Sequence, residues 1–508
     1  MSNTVDFSGK PFHFIGIGGI GMSALAYVLA KRQLPVSGSD ICTSHITQRL
    51  QSVGARIFST QEAANLEIFL PTPEAVNTTL PAAVGGSPTP RGGVETSHAS
   101  SEQVSACLPQ VIASTAISDT NCEYEAALKK GCPIFHRSDL LAALIQDYPT
   151  SVAIAGTHGK TTTSSAIGHL FLKAGLDPTV IVGGEVDAWG GNARLGHRGI
   201  LVAEADESDG SLSKLSASIG VVTNVELDHP DHYQTLESVI STFTTFATQC
   251  NTLVGCIDDD TVREQLQPSI SYSLQPEREA DYTVKNVTYQ AWGTRAEVVE
   301  RGKVLGEMQL QLLGQHNLSN AIATVAVGRH LGLDFPVIAE AITSFEGTKR
   351  RFEHRGECNG VVFVDDYAHH PSEISATLAA ARLRASHTSP RIVAIFQPHR
   401  YSRTQTFLEK FATAFSDADV VVITEIYGAG EAHSNISGQQ VADAIAATHP
   451  NVLYHPDLSS LSSLLTEDIL QPADLALFLG AGNLNRIIPE AITLLESRGE
   501  APKGGRMN

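Results

Sequence analysis

The sequence has no CxxC pair, no long run of Lys and Arg, and no apolar stretch approaching the ~18–20 residues that cross a bilayer. The seven cysteines, Cys42, Cys107, Cys122, Cys132, Cys250, Cys256 and Cys358, are odd in number and scattered. That pattern argues against a disulfide framework and against a Cys-based zinc site, and a reducing cytoplasm is the expected compartment. The opening MSNTVDFSGK has neither a basic n-region nor an apolar h-region, so no secretory signal is expected. Positive charge is scarce as well: 35 Lys and Arg against 54 Asp and Glu, a formal net charge of −19. Such a surface repels nucleic-acid phosphates. Neither a nucleic-acid partner nor membrane insertion is expected. An anionic small molecule stays admissible, because a cleft can be locally basic on an acidic protein.

What is present is an ordinary globular composition, 42% hydrophobic and 18% charged. The 508 residues suggest about three domains. The pattern along the chain is α/β. Phe12–Ile15 reads as a buried strand, Gly16–Gly21 as a glycine turn, Met22–Lys31 as a helix and Pro35–Ser39 as the next strand. From 70 to 109 the chain is rich in Pro, Gly, Ser and Thr and has no Lys, Phe, Tyr or Trp. Such a stretch buries too little apolar surface to offset its ordering entropy and is expected to be a disordered insertion. A strand at Ser151–Ala155 and a helix at Thr163–Ala174 flank a second glycine loop, and Ile200–Ala203 and Ile219–Val222 are further strands. Helices are expected at Asn317–His330 and Phe335–Ser344. Strands at Val361–Val364, Arg391–Phe396, Asp419–Thr424 and Leu475–Leu479, with helices at Ser372–Arg384 and Thr404–Phe415, form a last α/β unit. The expected domains are 1–148, 149–344 and 345–508.

The second glycine loop is Gly156-Thr157-His158-Gly159-Lys160-Thr161-Thr162. Between a strand and a helix, small residues let backbone N–H groups turn toward phosphate oxygens, and the helix N-terminus adds positive potential. Lys160 would neutralise terminal phosphate charge, and the Thr161 hydroxyl would ligate Mg²⁺. The spacing is GxxGKT, shorter than GxxxxGK[ST], so the loop by itself supports nucleotide binding and little more. Two polar clusters follow successive strands. Glu204, Asp206, Glu207 and Asp209 follow the first; Asn224, Asp228 and His229 follow the second. Strand carboxyl ends are where ligands collect in parallel sheets, and Mg²⁺ needs few protein oxygens.

Gly16, Gly18, Gly19 and Gly21 match GxGxxG, with Asp40 lying 24 residues beyond Gly16. That fits a dinucleotide enzyme, so an NAD-dependent oxidoreductase is one reading; the diphosphate of a nucleotide-sugar is the other. The last domain concentrates Arg350, Arg351, Asp365, Asp366, Tyr367, His369, His370, His399, Arg400 and Arg403. Arginines there can neutralise a transferring phosphoryl group or hold a carboxylate.

Taken together, HFIGIGGIGMSALA, AGTHGKTTT, EADESDGS, TNVELDHPDHY, GQHNLSNA, GTKRRFE, DDYAHHP, QPHRYSRT and GAGN resemble the Mur ligase family over nearly the whole chain outside 70–109. The resemblance implies a three-domain α/β fold: a Rossmann-like N-terminal domain, a central P-loop-type ATPase domain and a Rossmann-like C-terminal domain. It implies ATP-dependent ligation of L-alanine to UDP-N-acetylmuramate through an acyl phosphate, in the cytoplasm, for peptidoglycan synthesis. By the same likeness, Gly16–Gly21 and Asp40 face the UDP-sugar. Gly156–Thr162, His316, Asn317, Asn320, Arg351 and Asp366 take ATP. Thr161, Glu204 and His229 organise Mg²⁺, and Lys160, Glu204, His229 and Arg351 are catalytic. Tyr367, His369, His399, Arg400 and Arg403 line the amino-acid site. Ser216 stands where several relatives carry a carbamylated lysine, so no residue is assigned that role. A ligase that recycles a preformed tripeptide, or one that uses glycine or serine, is the competing reading within the family. Monomer and homodimer both stay open.

Overall fold

The computed structural model describes residues 4–69, 108–385 and 390–499. The insertion expected at 70–109 lies, apart from its last two residues, outside the described residues. The chain divides into two compact units, Met1–Ala143 and Leu144–Asn508.

The first unit is built on five parallel strands, β1 (Phe12–Ile15), β2 (Val36–Ser39), β3 (Arg56–Phe58), β4 (Gln110–Ala113) and β5 (Ile134–His136). Their order is β3-β2-β1-β4-β5. β1, β2 and β4 are buried at every position, which is why they read as short continuous runs and not as alternations. β1 nevertheless carries a histidine inward. His13 meets the Ser37 hydroxyl at 2.8 Å and the Glu123 carboxylate at 2.7 Å. Glu123 also accepts from the Ser39 hydroxyl and, at 2.9 Å, from the Asn65 amide. His13 and Glu123 are fully buried, so each supplies the polar partner the other has lost from water.

The second unit holds two sheets. The larger comprises β6 (Thr150–Ala155), β7 (Thr179–Val186), β8 (Gly191–Arg194), β9 (Ile200–Glu204), β10 (Ile219–Val222), β11 (Thr252–Cys256), β12 (Ile270–Tyr272), β13 (Tyr282–Gln290), β14 (Gly293–Glu300) and β15 (Lys303–Leu310). Their order is β15-β14-β13-β12-β11-β10-β6-β9-β7-β8. The middle is parallel; β13, β14 and β15 form an antiparallel meander at one edge, and β8 runs antiparallel to β7 at the other. Val152 and Ile154 of β6 and Val221 of β10 pack with Ile167 and Leu170 of the helix Lys160–Lys173 and with Ile322 and Val325 of the helix Gln315–His330.

The smaller sheet comprises β16 (Glu353–Cys358), β17 (Val361–Asp366), β18 (Ile392–Phe396), β19 (Val420–Ile423), β20 (Val452–Tyr454) and β21 (Leu475–Leu479), in the order β16-β17-β21-β18-β19-β20. All its pairings are parallel except β16 with β17. Among the described residues no helix is long and apolar enough to cross a membrane.

Three expectations are corrected. The helix expected at Thr163–Ala174 starts at Lys160, because Gly159 at φ 83° turns the chain directly into it. The single helix expected at Thr404–Phe415 is two pieces, Tyr401–Thr406 and Leu408–Phe411, joined at Phe407, which leaves helical geometry at φ −108°. The β13–β15 meander is not among the expected strands. Its signal is alternation, with Val284, Ala296 and Met308 buried between more exposed polar neighbours, as in a sheet with one wet face.

Removing one partner of the buried His13–Glu123 pair leaves the other uncompensated. Glu123→Ala is therefore expected to cost about 3–5 kcal/mol of stability, read as a lower urea midpoint; a midpoint unchanged from wild type would contradict this account.

Candidate active site

The order β10-β6-β9 sets the site. The loop after β6 emerges between the ends of its two neighbours, where ligands sit in open α/β sheets. The loop is clamped by the chain leaving β10. Thr157 N donates to Asn224 O at 3.1 Å and His158 N donates to Asn224 Oδ1 at 2.8 Å. The Thr223 hydroxyl donates to His158 O at 2.6 Å. Gly156, at φ 140°, lies so close that an added Cβ would stand 1.9 Å from Thr223 Oγ1. Gly159 faces Asn320, whose Oδ1 would be 2.7 Å from a Cβ there. Asn320 thus packs on the glycine turn, while Asn317 lines a cavity of about 940 Å³ together with Thr348, Arg351 and Phe352. The Asn317 amide donates to Leu313 O at 2.8 Å.

Lys160 opens the helix and is folded back over its own loop. Its Nζ donates to Gly156 O at 2.7 Å and Thr157 O at 3.1 Å, and lies 2.9 Å from both Glu207 carboxylate oxygens. Burial works against the ammonium, but Glu207, Asp206 and Glu204 outweigh it and raise the Lys160 pKa. Burial also pushes Glu207 up to about 7, against the pull of Lys160. At the end of β9, Glu204 accepts from the Thr161 hydroxyl at 3.1 Å and from Gly183 N at 2.7 Å. A hydroxyl and carboxylates converge here, which is the donor set a hard cation such as Mg²⁺ takes. His229 is placed among Asp206 and Glu207, with ligand atoms within 4.8 Å of one another. Its backbone sits at φ 54°, an unfavourable region held by Asp228, whose carboxylate accepts from His229 N at 2.7 Å. Burial lowers the His229 pKa, against the pull of Asp228, which favours the neutral imidazole. Ser216 donates to Gln249 O at 3.0 Å.

The smaller sheet delivers the other charged groups. Arg351 lies 3.6 Å from Glu373, and Glu373, Asp366 and Glu204 together hold its charge against the cost of burial. His316 is held down to about 4 by burial and by Arg351. Asp366, raised to about 6 by burial, accepts from Phe352 N and Ala368 N at 2.7 Å each, which makes it the clasp of the Arg351 turn as well as its counter-charge. Tyr367 lies under both Arg350 and Arg351, at 5.0 and 5.2 Å from its ring centre. The expected amino-acid residues come together: His369 and His399 are 5.8 Å apart, and Arg403 reaches His399 Nδ1 at 3.3 Å. Two of them are engaged already. Arg403 is buried against Asp228 at 2.8 Å, and Arg400 pairs with Asp231 at 2.5 Å.

Gly16, Gly18, Gly19, Gly21 and Asp40 lie in the first unit. Gly19 starts the helix Ile20–Lys31 with no side-chain cap, and its own N–H donates to Gly16 O at 3.3 Å to close the turn. Asp40 accepts from Gly18 N at 2.8 Å and Cys42 N at 2.9 Å, which braces this turn.

Sequence reasoning did not single out Glu226 and Glu373. His158 Nδ1 is 3.4 Å from Glu373, and its Nε2 is 3.8 Å from Glu226. Burial opposes charge on His158, but the two carboxylates outweigh it and raise it to about 9. Glu373 had a readable signal: in His370-Pro371-Ser372-Glu373, proline starts a helix and an acid at its third position reaches back to the amides just before it.

Three family models match in chain order. They are the Mur ligase family catalytic domain over residues 11–149, the Mur ligase middle domain over 154–328, and the Mur ligase glutamate ligase domain over 350–482. A UDP-N-acetylmuramate–L-alanine ligase from Gloeothece citriformis is 65% identical over 97% of this chain and 99% of its own. One from Crocosphaera subtropica is 64% identical over 97% and 96%. Among solved structures, a UDP-N-acetylmuramate-alanine ligase from Thermotoga maritima aligns with TM-score 0.76 at 27% identity, covering 96% of this chain and all of that one. A murein peptide ligase from Psychrobacter arcticus aligns at TM-score 0.68 and 19% identity over 96% and 99%, and shares the fold.

Two outcomes follow from this geometry. Gly156→Ala, with no room beside Thr223, is expected to cost about 1–3 kcal/mol; an unchanged melting temperature would contradict the clamp. His158, raised in the folded chain, contributes stability that is complete below its ordinary value and lost as pH rises through about 9. Histidine-ring NMR should give a titration midpoint well above 6.5, and one at or below it would refute the paired imidazolium.

Proposed function

The chain belongs to the Mur ligase family, and from that we propose that it joins L-alanine to the carboxylate of UDP-N-acetylmuramate, consuming ATP. It is an ATP-dependent ligase of peptidoglycan precursor synthesis. The observation that supports the assignment of ATP to this site is the largely buried Lys160, folded over the glycine loop and paired with Glu207 just beyond β9.

In this reading the triphosphate lies along Gly156–Thr162, with backbone N–H groups and Lys160 on its terminal phosphates. Asn317, on the wall of the large cavity, carries the nucleoside side. Gly16–Gly21 receives the diphosphate of the UDP-sugar. The substrate carboxylate attacks the γ-phosphorus, the bond to the bridging oxygen breaks, and ADP leaves. Lys160 and Arg351 stabilise the charge that moves onto the transferring oxygens. The neutral amine of alanine then attacks the acyl phosphate carbon; the C–O bond breaks, phosphate leaves, and the nitrogen gives up a proton. Tyr367, His369, His399, Arg400 and Arg403 orient the amino acid. Thr161, Glu204 and His229 would hold Mg²⁺, which neutralises phosphate charge when bound.

Phosphate release with UDP-N-acetylmuramate, ATP and Mg²⁺ is expected with L-alanine above glycine, L-serine and the tripeptide. A higher rate with tripeptide would replace this acceptor. Lys160→Ala is expected to lower kcat by roughly 10²–10³-fold or more, the scale of losing one transition-state donor. Calorimetry should find its UDP-sugar affinity nearly intact, and lost affinity would sink the division of labour.

A further inference from the structure

Glu373 is the third residue of the helix Pro371–Ala385. Its Oε2 accepts from His369 N at 3.0 Å and His370 N at 3.3 Å, the ordinary task of an acid at that position. That task needs one oxygen. The other, Oε1, lies 3.4 Å from His158 Nδ1 and 3.6 Å from Arg351 Nη1. Neither group belongs to its helix: one is in the phosphate loop, the other in the turn before β16. Oε2 in addition lies 3.3 Å from His369 Nδ1, which also meets Tyr367 O at 2.9 Å. Carbonyl and carboxylate both accept, so Nδ1 carries the hydrogen and Nε2 keeps its lone pair. Nε2 of His369 is therefore the ring atom able to accept from an incoming ammonium or amine. On the far side, His158 is paired with Glu226, which accepts from the Ser372 hydroxyl at 2.8 Å, next to Glu373 in sequence.

Resting on the ligase reading above, we propose that Glu373 is a positioning residue. Its carboxylate holds the phosphate loop through His158 and the phosphoryl-facing Arg351 on one oxygen. It holds the acceptor-side His369 on the other. The two half-reactions then share one alignment: the group that fixes where the γ-phosphate is stabilised also fixes the tautomer and angle of the imidazole that meets the amine. Burial disfavours charge on Glu373, yet His369, His158 and Arg351 hold its carboxyl well below the usual range, so the carboxylate form is the one that does this work.

Glu373→Gln keeps the shape and the amide contacts but removes the charge; Glu373→Asp keeps the charge on a shorter arm. In the full-length enzyme, Glu373→Gln should lower kcat/KM for L-alanine by on the order of 100-fold. UDP-sugar affinity should stay unchanged, and Glu373→Asp should recover part of the loss. A helix-capping role alone would lower the melting temperature of Glu373→Gln while leaving kcat/KM of the folded enzyme within about twofold, and that result would overturn the proposal. So would a Glu373→Asp enzyme no better than Glu373→Gln. A second readout needs no acceptor: ring-nitrogen NMR of the ligand-free protein. In Glu373→Gln the His158 titration should move down toward 6.5 and the His369 Nδ1 signal should shift. Unchanged His158 and His369 signals overturn the proposal even if L-alanine proves to be the wrong acceptor.

Discussion

A buried ammonium must be compensated or discharged, and Lys160 is compensated. It stands at the first turn after β6, on a loop whose two glycines leave no room for a Cβ, and its side chain is only 13% exposed, so the ammonium needs partners close at hand. The acids at the end of β9 follow from this. Glu207 pairs with the ammonium, Glu204 anchors Thr161, and Asp206 adds to the field. Burial raises the Glu207 pKa, which marks how poorly that carboxylate is solvated by itself.

The same logic reaches the smaller sheet. His158 leaves the loop as an imidazolium between Glu226 and Glu373. Asp228 is paired with Arg403, and burial of both is tolerable because they are paired. The histidines beyond, His369 and His399, are kept neutral by burial in a region rich in arginine, with His399 down to about 3. Neutral imidazoles beside cationic arginines suit the recognition of a small zwitterion, whose carboxylate meets Arg and whose amine needs a lone pair.

Much of this was legible because β-α punctuation is local. Strands β1, β10 and β21 are readable to the residue, since buried parallel strands are short apolar runs bounded by glycine or charge. The loops at Gly16 and Gly156 are readable because phosphate chemistry demands small residues at a strand–helix turn. What stayed hidden was tertiary. The pairing of Arg403 with Asp228 spans 175 residues, and no spacing rule reports it. Glu373 is readable as a capping acid, but its second oxygen is accounted for only by residues from other elements. The meander β13–β15 was overlooked because its alternation is interrupted by register shifts at Lys285–Thr288 and Val298–Val299. The His13–Glu123 pair was hidden because a lone histidine in an apolar strand carries no local sign of its partner.

The Arg403–Asp228 pair also bears on how such chains can be recombined. The two halves of the second unit look modular: each has its own sheet and its own core. Their seam, however, is written in charges, with Asp228, Asp231 and Glu226 on one side and Arg403, Arg400 and Ser372 on the other. A chimera that exchanges only the smaller sheet inherits whichever side of that code it keeps, and losing Arg403 strands the buried Asp228 carboxylate, whereas losing Arg400 or Ser372 loosens more exposed contacts. Recombination between such chains is therefore constrained by the buried Arg403–Asp228 pair as well as by the sheets that carry it.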